Sequence, residues 1–407
     1  MHIQQTTLAG IDTIFVDLPE STSTTIEIMV KAGSIYETKE TNGLSHFLEH
    51  MFFKGGKKYK TPKAVAEVVD AFGGEFNAYT SEEYAGYYIK CAPEFTTKAI
   101  DVLADMLVHA TFPKAELEKE KGVIIQEVMM YEDMPHIQVA EYRKRRYYGD
   151  TSFWRPVLGP VENIKSFQQE DFFRHKEALY AKDNLVVIIA GNISNVSNLQ
   201  EQIGELFASL PEKKTGRSLQ LLDHFPSEHT SHSIKNTQQN HLVIGIPGYD
   251  MHQTERFGAK MLAILLGGTM SSRLFQEIRE KRGLCYYVSA SHSTDDQDGT
   301  FIIRAGMEKA RREKGLQALY EELEKIANGK IAQAEINMAL GNLTGKTKVG
   351  LETSDEVAQF IGKQRLFKKH IDLLDDLLKQ YHLVTLDQIQ KIAEKFTQDN
   401  LYAYRIE

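Results

Sequence analysis

Two halves of this 407-residue sequence follow the same pattern, and this duplication limits most strongly what the chain can fold into. A helical pattern from Asp171 leads into an Asp-Asn-Leu turn and an apolar run, and the same order recurs 216 residues later from Asp387. The apolar runs that lead to Gly33 and to Gly248 match at an offset of 215. A third match joins two pairs of strand-like runs, 76–81 and 84–91 with 287–291 and 300–305. Several matches at nearly constant offset indicate two copies of one unit.

Each copy mixes helical and strand patterns, which predicts an α+β fold made of two tandem α/β-sandwich units. Each unit is expected to be a mostly antiparallel sheet covered by helices. We expect the first unit at 1–212, a polar linker at 213–230 and the second unit at 231–407. The helix predicted at 42–54 has Asn42 as its expected N-cap and Gly55-Gly56 as its stop. The other elements predicted in the first copy are strands at 11–17, 23–32, 184–190 and within 74–91, and helices at 62–72, 94–110, 113–134, 137–147, 166–179 and 195–208.

Composition argues against several classes of partner. The net charge is -8 and the pI is near 6.0, whereas nucleic-acid binding needs a concentrated basic surface. The two cysteines, Cys91 and Cys285, form neither a disulfide framework nor a thiolate metal site, which favours a reducing compartment. No window approaches 18 apolar residues and no signal peptide is visible, so we expect a cytoplasmic protein without a membrane partner.

The residues that point to chemistry begin at 43–50, which read Gly-Leu-Ser-His-Phe-Leu-Glu-His. On a helix, His46 and His50 are i and i+4, so both rings project from one face and can meet one zinc ion. Glu49 lies beside the open coordination position and can activate a water without being a ligand. This order is the H-x-x-E-H signature of inverted zinc peptidases. Chance produces the string in roughly a few chains per hundred, so a helix with two ordinary histidines remains an alternative.

A catalytic zinc also needs a third protein ligand from another element. The helix predicted from Pro113 carries Glu120 and Glu127 on a stripe whose other members are Val123, Ile124 and Met130. Carboxylates on an apolar face are costly unless they are paired or bind a metal. One interpretation places both acids at the edge of the stripe, where they reach water. The other makes Glu127 the third ligand and Glu120 the partner that supports a ligand.

The stretch G-L-S-H-F-L-E-H-M-F-F-K-G closely resembles the pitrilysin/insulinase family of zinc metallopeptidases. The resemblance is strongest to the half-length branch that contains the catalytic subunit of mitochondrial processing peptidase and its bacterial homologues. In that family the third ligand lies 77 residues after the second histidine, at Glu127 here, and a further active-site glutamate matches Glu120. The resemblance implies a zinc-dependent endopeptidase that cleaves extended peptides or unfolded segments. It implies Zn²⁺ as cofactor, held by His46, His50 and Glu127, with Glu49 as the base.

The resemblance also implies substrate-binding residues. Asn77 and Ala78 match an edge strand that pairs with the substrate backbone, although an ordinary solvent-facing edge would fit the position as well. Arg279 and Tyr286 match a pair that grips the substrate backbone and donates a hydrogen bond to the oxyanion. Without the resemblance, Gly283 reads as a helix C-cap and Tyr286 as the first core residue of a strand.

The segment of the second copy that matches the metal helix, 257–268, contains no histidine and no acid, so only the first copy is expected to hold metal. The family encloses its site between four such units. This chain supplies two, so the resemblance implies a homodimer, or a heterodimer with a similar chain, in which Arg279 and Tyr286 reach the partner's zinc site. Two alternatives are a catalytically inactive structural or peptide-binding subunit of a processing complex and a zinc hydrolase of non-peptide substrates. A loose histidine cluster is interpreted as exposed loop residues: His224, His229, His232 and His241.

Overall fold

The computed structural model describes residues 2–149, 151–193, 196–215, 230–234, 237–397 and 400–406. Most of the predicted linker, at 216–229, lies outside the described residues, as do His224 and His229. The strands are β1 His2–Leu8, β2 Ile11–Asp17, β3 Thr24–Val30, β4 Glu75–Thr80, β5 Ala85–Cys91, β6 Leu185–Gly191, β7 Thr230–Ser233, β8 Gln239–Pro247, β9 Cys285–Thr294, β10 Gly299–Glu308 and β11 Tyr402–Ile406.

The α-helices are α1 Leu44–Phe52, α2 Pro62–Ala71, α3 Thr96–Val108, α4 Lys114–Glu132, α5 Pro135–Tyr148, α6 Val161–Ser166, α7 Gln169–Leu179, α8 Val196–Leu206, α9 Arg256–Ala263, α10 Arg312–Ala327, α11 Gln333–Val349, α12 Ser354–Phe367, α13 Leu374–His382 and α14 Leu386–Ala393. Two further segments, Ile264–Gly268 and Phe275–Lys281, are π-helical. Of the helices described, none combines the length and the apolar character needed to cross a membrane.

The first unit is built on a six-stranded sheet in the order β1-β2-β6-β3-β5-β4. All pairs are antiparallel except β2 with β6. The central strands β3 and β6 are buried at every residue, as expected for strands covered on both faces. On one face α3 packs on β3 and β5 while α1 packs on β4, and on the other face α12 packs on β3 and β6.

The second unit repeats this topology. Its five-stranded sheet has the order β7-β11-β8-β10-β9, with a single parallel pair, β7 with β11, at the place where β2 pairs with β6. The match of order and strand direction agrees with the duplication read from the sequence, and the α+β class of two similar units is confirmed. The first sheet differs by the extra edge strand β1.

The compact units are not continuous stretches of chain, which differs from the predicted division at 1–212 and 231–407. The first comprises Met1–Met129, Arg155–Gln220 and Gly350–Ile371, and the second Met130–Trp154, Leu221–Val349 and Asp372–Glu407. Each half of the sequence thus supplies a helix to the other unit: α12 covers the first sheet and α5 packs on β8 and β11 of the second. Sequence periodicity detects such helices but carries no information about which sheet they cover.

The expectation that Asn42 caps α1 was wrong. Gly43 occupies the N-cap with a φ of 97°, a conformation that favours glycine. The buried carboxylate of Glu37 accepts hydrogen bonds from the backbone N–H groups of Gly43 at 2.9 Å and Ser45 at 2.7 Å. The Asn42 side chain instead donates to Glu37 Oε2 at 2.9 Å. A carboxylate five or more residues upstream therefore satisfies the first amides of this helix.

Candidate functional site

Helix α1 presents two histidines and a glutamate opposite its core-facing side. Its apolar positions are buried in the core of the first unit: Leu44, Phe47, Leu48 and Met51. Because these positions fix one side of the helix, His46, Glu49 and His50 lie together on another side. The rings of His46 and His50 have their centroids 4.7 Å apart. The i, i+4 spacing thus brings the two imidazoles together, as the sequence predicted.

Helix α4 brings a carboxylate to the two imidazoles. Glu127 Oε2 lies 3.7 Å from His46 Nε2 and 3.8 Å from His50 Nε2, and one ligand atom from each residue lies within 4.8 Å of the others. These separations are too long for hydrogen bonds but are close to the edge of about 3.4 Å expected in a tetrahedron with zinc–ligand bonds of about 2.0–2.1 Å. The three side chains therefore fit a shared divalent ion.

The expected apolar stripe along α4 was only partly correct. Ile124 is buried in the core, whereas Val123 and Met130 are 52% and 47% exposed. Glu127, half-buried, therefore lies beside an exposed apolar side of the helix and not within a buried face. Glu120, by contrast, is buried.

The buried imidazole of His46 is suited to bind a metal. Burial, with a smaller contribution from the neighbouring His50, lowers the pKa of His46 to about 3. The ring is therefore neutral at physiological pH, as a metal-ligating histidine must be.

Glu120 orients the second histidine. Glu120 Oε1 lies 2.9 Å from His50 Nδ1, and Lys54 Nζ lies 2.6 Å from Glu120 Oε2. Burial alone would raise the pKa of Glu120, but hydrogen bonds with His50 and Lys54 outweigh it, so that this pKa is lowered. A carboxylate that accepts a hydrogen bond from Nδ1 leaves Nε2 of His50 free for a metal. Sequence reasoning missed Lys54, although it lies one helical turn beyond His50.

Glu49 is held by a residue of the edge strand. Thr80 Oγ1 donates a hydrogen bond to Glu49 Oε2 at 2.6 Å. Burial is the main cause that raises the pKa of Glu49; Glu127 adds to it, while Thr80 and His50 oppose it. A carboxyl group with a raised pKa is suited to accept and return a proton near neutral pH. The sequence analysis did not single out Thr80, which follows the predicted substrate strand without a signal of its own.

The predicted substrate strand, β4, lies at the edge of the first sheet and pairs with β5. Ser81 N–H donates to Tyr84 O at the hairpin end, and hydrogen-bonded pairs alternate along an antiparallel ladder. The N–H of Ala78 consequently points to the free edge, where Asn77 Oδ1 accepts its hydrogen bond at 2.9 Å. The edge at Asn77 and Ala78 is thus oriented for pairing with an added strand.

Arg279 and Tyr286 lie in the second unit and contact the same region of it. The Arg279 guanidinium lies over the rings of Phe275 and Tyr286, at 4.7 Å and 6.0 Å from their centroids. Tyr286 is 72% exposed, so the interpretation of this residue as the start of a core strand was wrong. His241 of the loose histidine cluster lies in β8, half-buried, and is not a loop residue.

Comparison with known proteins places this architecture. The chain is 34% identical over 393 residues to a protein of Bacillus subtilis named as an uncharacterized zinc protease, YmxG, covering 96% of this chain and 94% of that protein. This chain belongs to the M16 peptidase family. The profile described as Insulinase (Peptidase family M16) matches residues 13–161, and the profile described as Peptidase M16 inactive domain matches residues 166–343. A second M16-like relative, an uncharacterized zinc protease of Streptomyces coelicolor, is 32% identical and covers 96% of this chain and 86% of that protein.

Solved structures share the M16 fold along the whole chain. A protease from Helicobacter pylori superposes with a TM-score of 0.91 at 21% identity, covering 100% of this chain and 99% of that one. A structure from Pseudomonas fluorescens, described as a peptidase M16 inactive domain, superposes with a TM-score of 0.91 at 19% identity, covering 100% and 98%. At these identities the likeness concerns the fold.

The second unit of this M16 chain lacks the ligand set among its described residues. At the offset of 215 residues, the positions of His46 and His50 fall on Met261 and Leu265, both of which are buried. Apolar side chains cannot bind zinc, and they fill the helix–sheet interior instead. The duplication thus preserved the scaffold twice and the ligand-bearing helix once.

Proposed function

We propose that this chain is a zinc-dependent endopeptidase that cleaves extended peptides or unfolded segments. The observation that supports it most is the convergence of His46 Nε2, His50 Nε2 and Glu127 Oε2 beside Glu49. The three ligand atoms would hold Zn²⁺. Zinc bound there would supply Lewis-acid chemistry, which polarises the scissile carbonyl and makes a water molecule more acidic.

The protein's own residues account for the remaining steps. The substrate backbone pairs with the free edge of β4 at Asn77 and Ala78, which places an extended peptide alongside α1. Glu49 takes a proton from the attacking water and returns it to the leaving amine. Glu120 keeps His50 in the tautomer and orientation that ligation requires.

We further propose that Arg279 and Tyr286 act on substrate from the second unit of a partner chain in a dimer. The exposed Tyr286 side chain and its contact with the Arg279 guanidinium support a role toward a ligand and not toward the core. Arg279 would hold the substrate backbone, and the Tyr286 hydroxyl would donate a hydrogen bond to the oxyanion. The partner is either an identical or a similar chain.

The deciding experiment measures metal content and cleavage of a peptide library by the same preparation. The wild-type chain is expected to contain about one zinc per chain and to cleave; chelation should abolish cleavage, and added zinc should restore it. Glu49→Gln should retain zinc and lose cleavage by about a thousandfold or more, because it removes the base and leaves the ligands intact.

An inactive peptide-binding subunit makes the opposite prediction. It would bind peptides without cleaving any of them at any zinc occupancy. Undiminished cleavage by a clean Glu49→Gln preparation would refute the role of this residue.

A further inference from the structure

The edge strand β4 is held from both of its faces. On the face toward α1, Thr80 donates its hydrogen bond to Glu49. The preceding residue, Tyr79, projects from the opposite face, and its hydroxyl donates to Glu27 Oε1 at 2.6 Å. Neighbouring residues of one strand thus connect the proposed base to a carboxyl group on the other side of the sheet.

The second connection crosses a strand. Glu27 lies on β3, which is separated from β4 by β5, and Tyr79 pairs with Gly86 of β5. A Cβ atom at Gly86 would lie 2.3 Å from Cζ of Tyr79. The ring of Tyr79 therefore lies directly on the backbone of Gly86, and only glycine at this position lets the hydroxyl reach β3.

Glu27 is an unusual end point for such a contact. It is 0% exposed in the middle of a strand whose residues are all buried, and its Oε2 has no hydrogen-bond partner among the described residues. An apolar side chain would fill this place at lower cost, because a buried carboxyl group loses its hydration. The Tyr79 hydroxyl is the partner of the carboxyl group in the described part of the chain.

The second unit repeats the arrangement with other chemistry. Tyr287 of β9 lies over Gly306 of β10, where a Cβ atom would be 2.2 Å from Cε1 of the ring. Its hydroxyl lies 3.1 Å from Nδ1 of His241 on β8. A tyrosine tether from the edge strand to the third strand is thus part of the duplicated architecture. In the first unit, however, the tethered strand also carries the contact to Glu49 and the free edge at Ala78.

We propose that Tyr79 and Glu27 are positioning residues for peptide hydrolysis: their tether holds β4 so that Thr80 orients Glu49. This inference rests on the proposed peptidase function. When the tether is removed, β4 can move away from the sheet, and the Thr80–Glu49 contact is loosened. A misplacement of about 1 Å in a catalytic group can reduce turnover by about a hundredfold.

The test compares two variants that each remove one tyrosine hydroxyl bonded to a carboxylate. Tyr79→Phe removes the tether, and the matched control Tyr59→Phe removes the hydroxyl that donates to Asp101 at 2.7 Å, in the same unit but away from β4. Both variants should lose stability. Tyr79→Phe alone should lower kcat by about tenfold or more at unchanged zinc content, and should speed hydrogen exchange of the β4 amides.

Changes at Glu27 separate a positioning role from a merely structural one. Glu27→Gln keeps an acceptor for Tyr79 and should keep kcat within about twofold of the wild type, whereas Glu27→Leu should reproduce the loss seen in Tyr79→Phe. The double variant Tyr79→Phe/Glu27→Leu should be no slower than either single variant, because both remove the same contact.

Two results would overturn the inference, and they differ from failure of the proposed function. One is an unchanged kcat in a folded, zinc-loaded Tyr79→Phe chain whose β4 amides exchange at the wild-type rate. The other is an equal loss of kcat in Tyr79→Phe and Tyr59→Phe. If the wild-type chain cleaves no peptide at full zinc occupancy, the proposed function itself fails, and the inference fails with it.

Discussion

At the scale of single residues, the protonation of Glu27 connects the tether to stability. Burial raises the pKa of Glu27 from its ordinary value of 4.5 to about 8; the Tyr79 hydrogen bond lowers it and Asp355 of α12 raises it. Asp355 is itself paired with Lys90 at 2.7 Å. At neutral pH the folded protein therefore holds a proton on Glu27 that the unfolded chain releases.

This proton gives a definite pH dependence. Because the folded pKa lies above the unfolded one, the contribution of Glu27 to the free energy of unfolding is constant below about pH 4.5. It then falls by up to about 1.4 kcal/mol per pH unit until about pH 8 and is constant again above that. Glu27→Gln should remove this component. Denaturant unfolding of both proteins between pH 5 and 9 measures it, and parallel curves for the two proteins would contradict the assignment.

At the scale of secondary-structure elements, α12 completes the first sheet although it comes from the far end of the sequence. Ser354 Oγ lies 2.8 Å from Thr25 Oγ1 and 3.0 Å from Ser23 Oγ. A Cβ atom at Gly362 would lie 2.7 Å from side-chain atoms of Ile188 and of Met29, so the backbone of α12 lies directly on the sheet. The helix is therefore an integral layer of the first unit.

A fragment of residues 1–212 tests this assignment because it contains the whole first sheet and lacks α12. We expect it to lose cooperative unfolding and near-ultraviolet circular dichroism, since the buried face of β3 and β6 becomes exposed. Fusing residues 350–371 to the fragment through a flexible linker should restore cooperative unfolding. A fragment 1–212 that unfolds as sharply as the full chain would show that α12 is dispensable.

At the scale of the whole molecule, the duplication separates the proposed ligands from the proposed oxyanion donor. His46, His50 and Glu127 belong to the first unit, and Arg279 and Tyr286 to the second. The proposed dimer would form each site from the first unit of one chain and the second unit of its partner. Such a composite site has a consequence that a site within one chain lacks.

Mixing two inactive variants distinguishes the two arrangements. Glu49→Gln and Tyr286→Phe chains that exchange freely form mixed dimers in which one site carries both defects and the other carries none. We therefore expect recovery of about a quarter of the wild-type activity in an equal mixture. A mixture of Glu49→Gln with Glu127→Gln, whose defects lie in the same half of the site, should recover nothing. Absence of recovery in the first mixture, with mixed dimers demonstrated, would contradict composite sites.

The local pattern of the sequence predicted much of the fold and the centre of the site. The helix that bears His46 and His50, the strand that bears Asn77 and Ala78 and the repeated unit all follow from periodicity between near neighbours in the chain. The role of Glu127 followed from resemblance, because nothing local joins it to residues 77 positions away. Local propensity failed where a distant group competed, as when the buried Glu37 replaced Asn42 at the start of α1.

The sequence by itself therefore determined which residues form helices and strands, which helix carries the histidine pair, and that the unit occurs twice. Only the tertiary structure decided that Thr80 holds Glu49, that Lys54 pairs with Glu120, that Tyr79 crosses Gly86 to Glu27, and that α12 covers the first sheet. The physical reason is the range of the interactions. Helix and strand periodicity arise from residues a few positions apart, whereas these contacts join residues tens to hundreds of positions apart and exist only once the strands have paired.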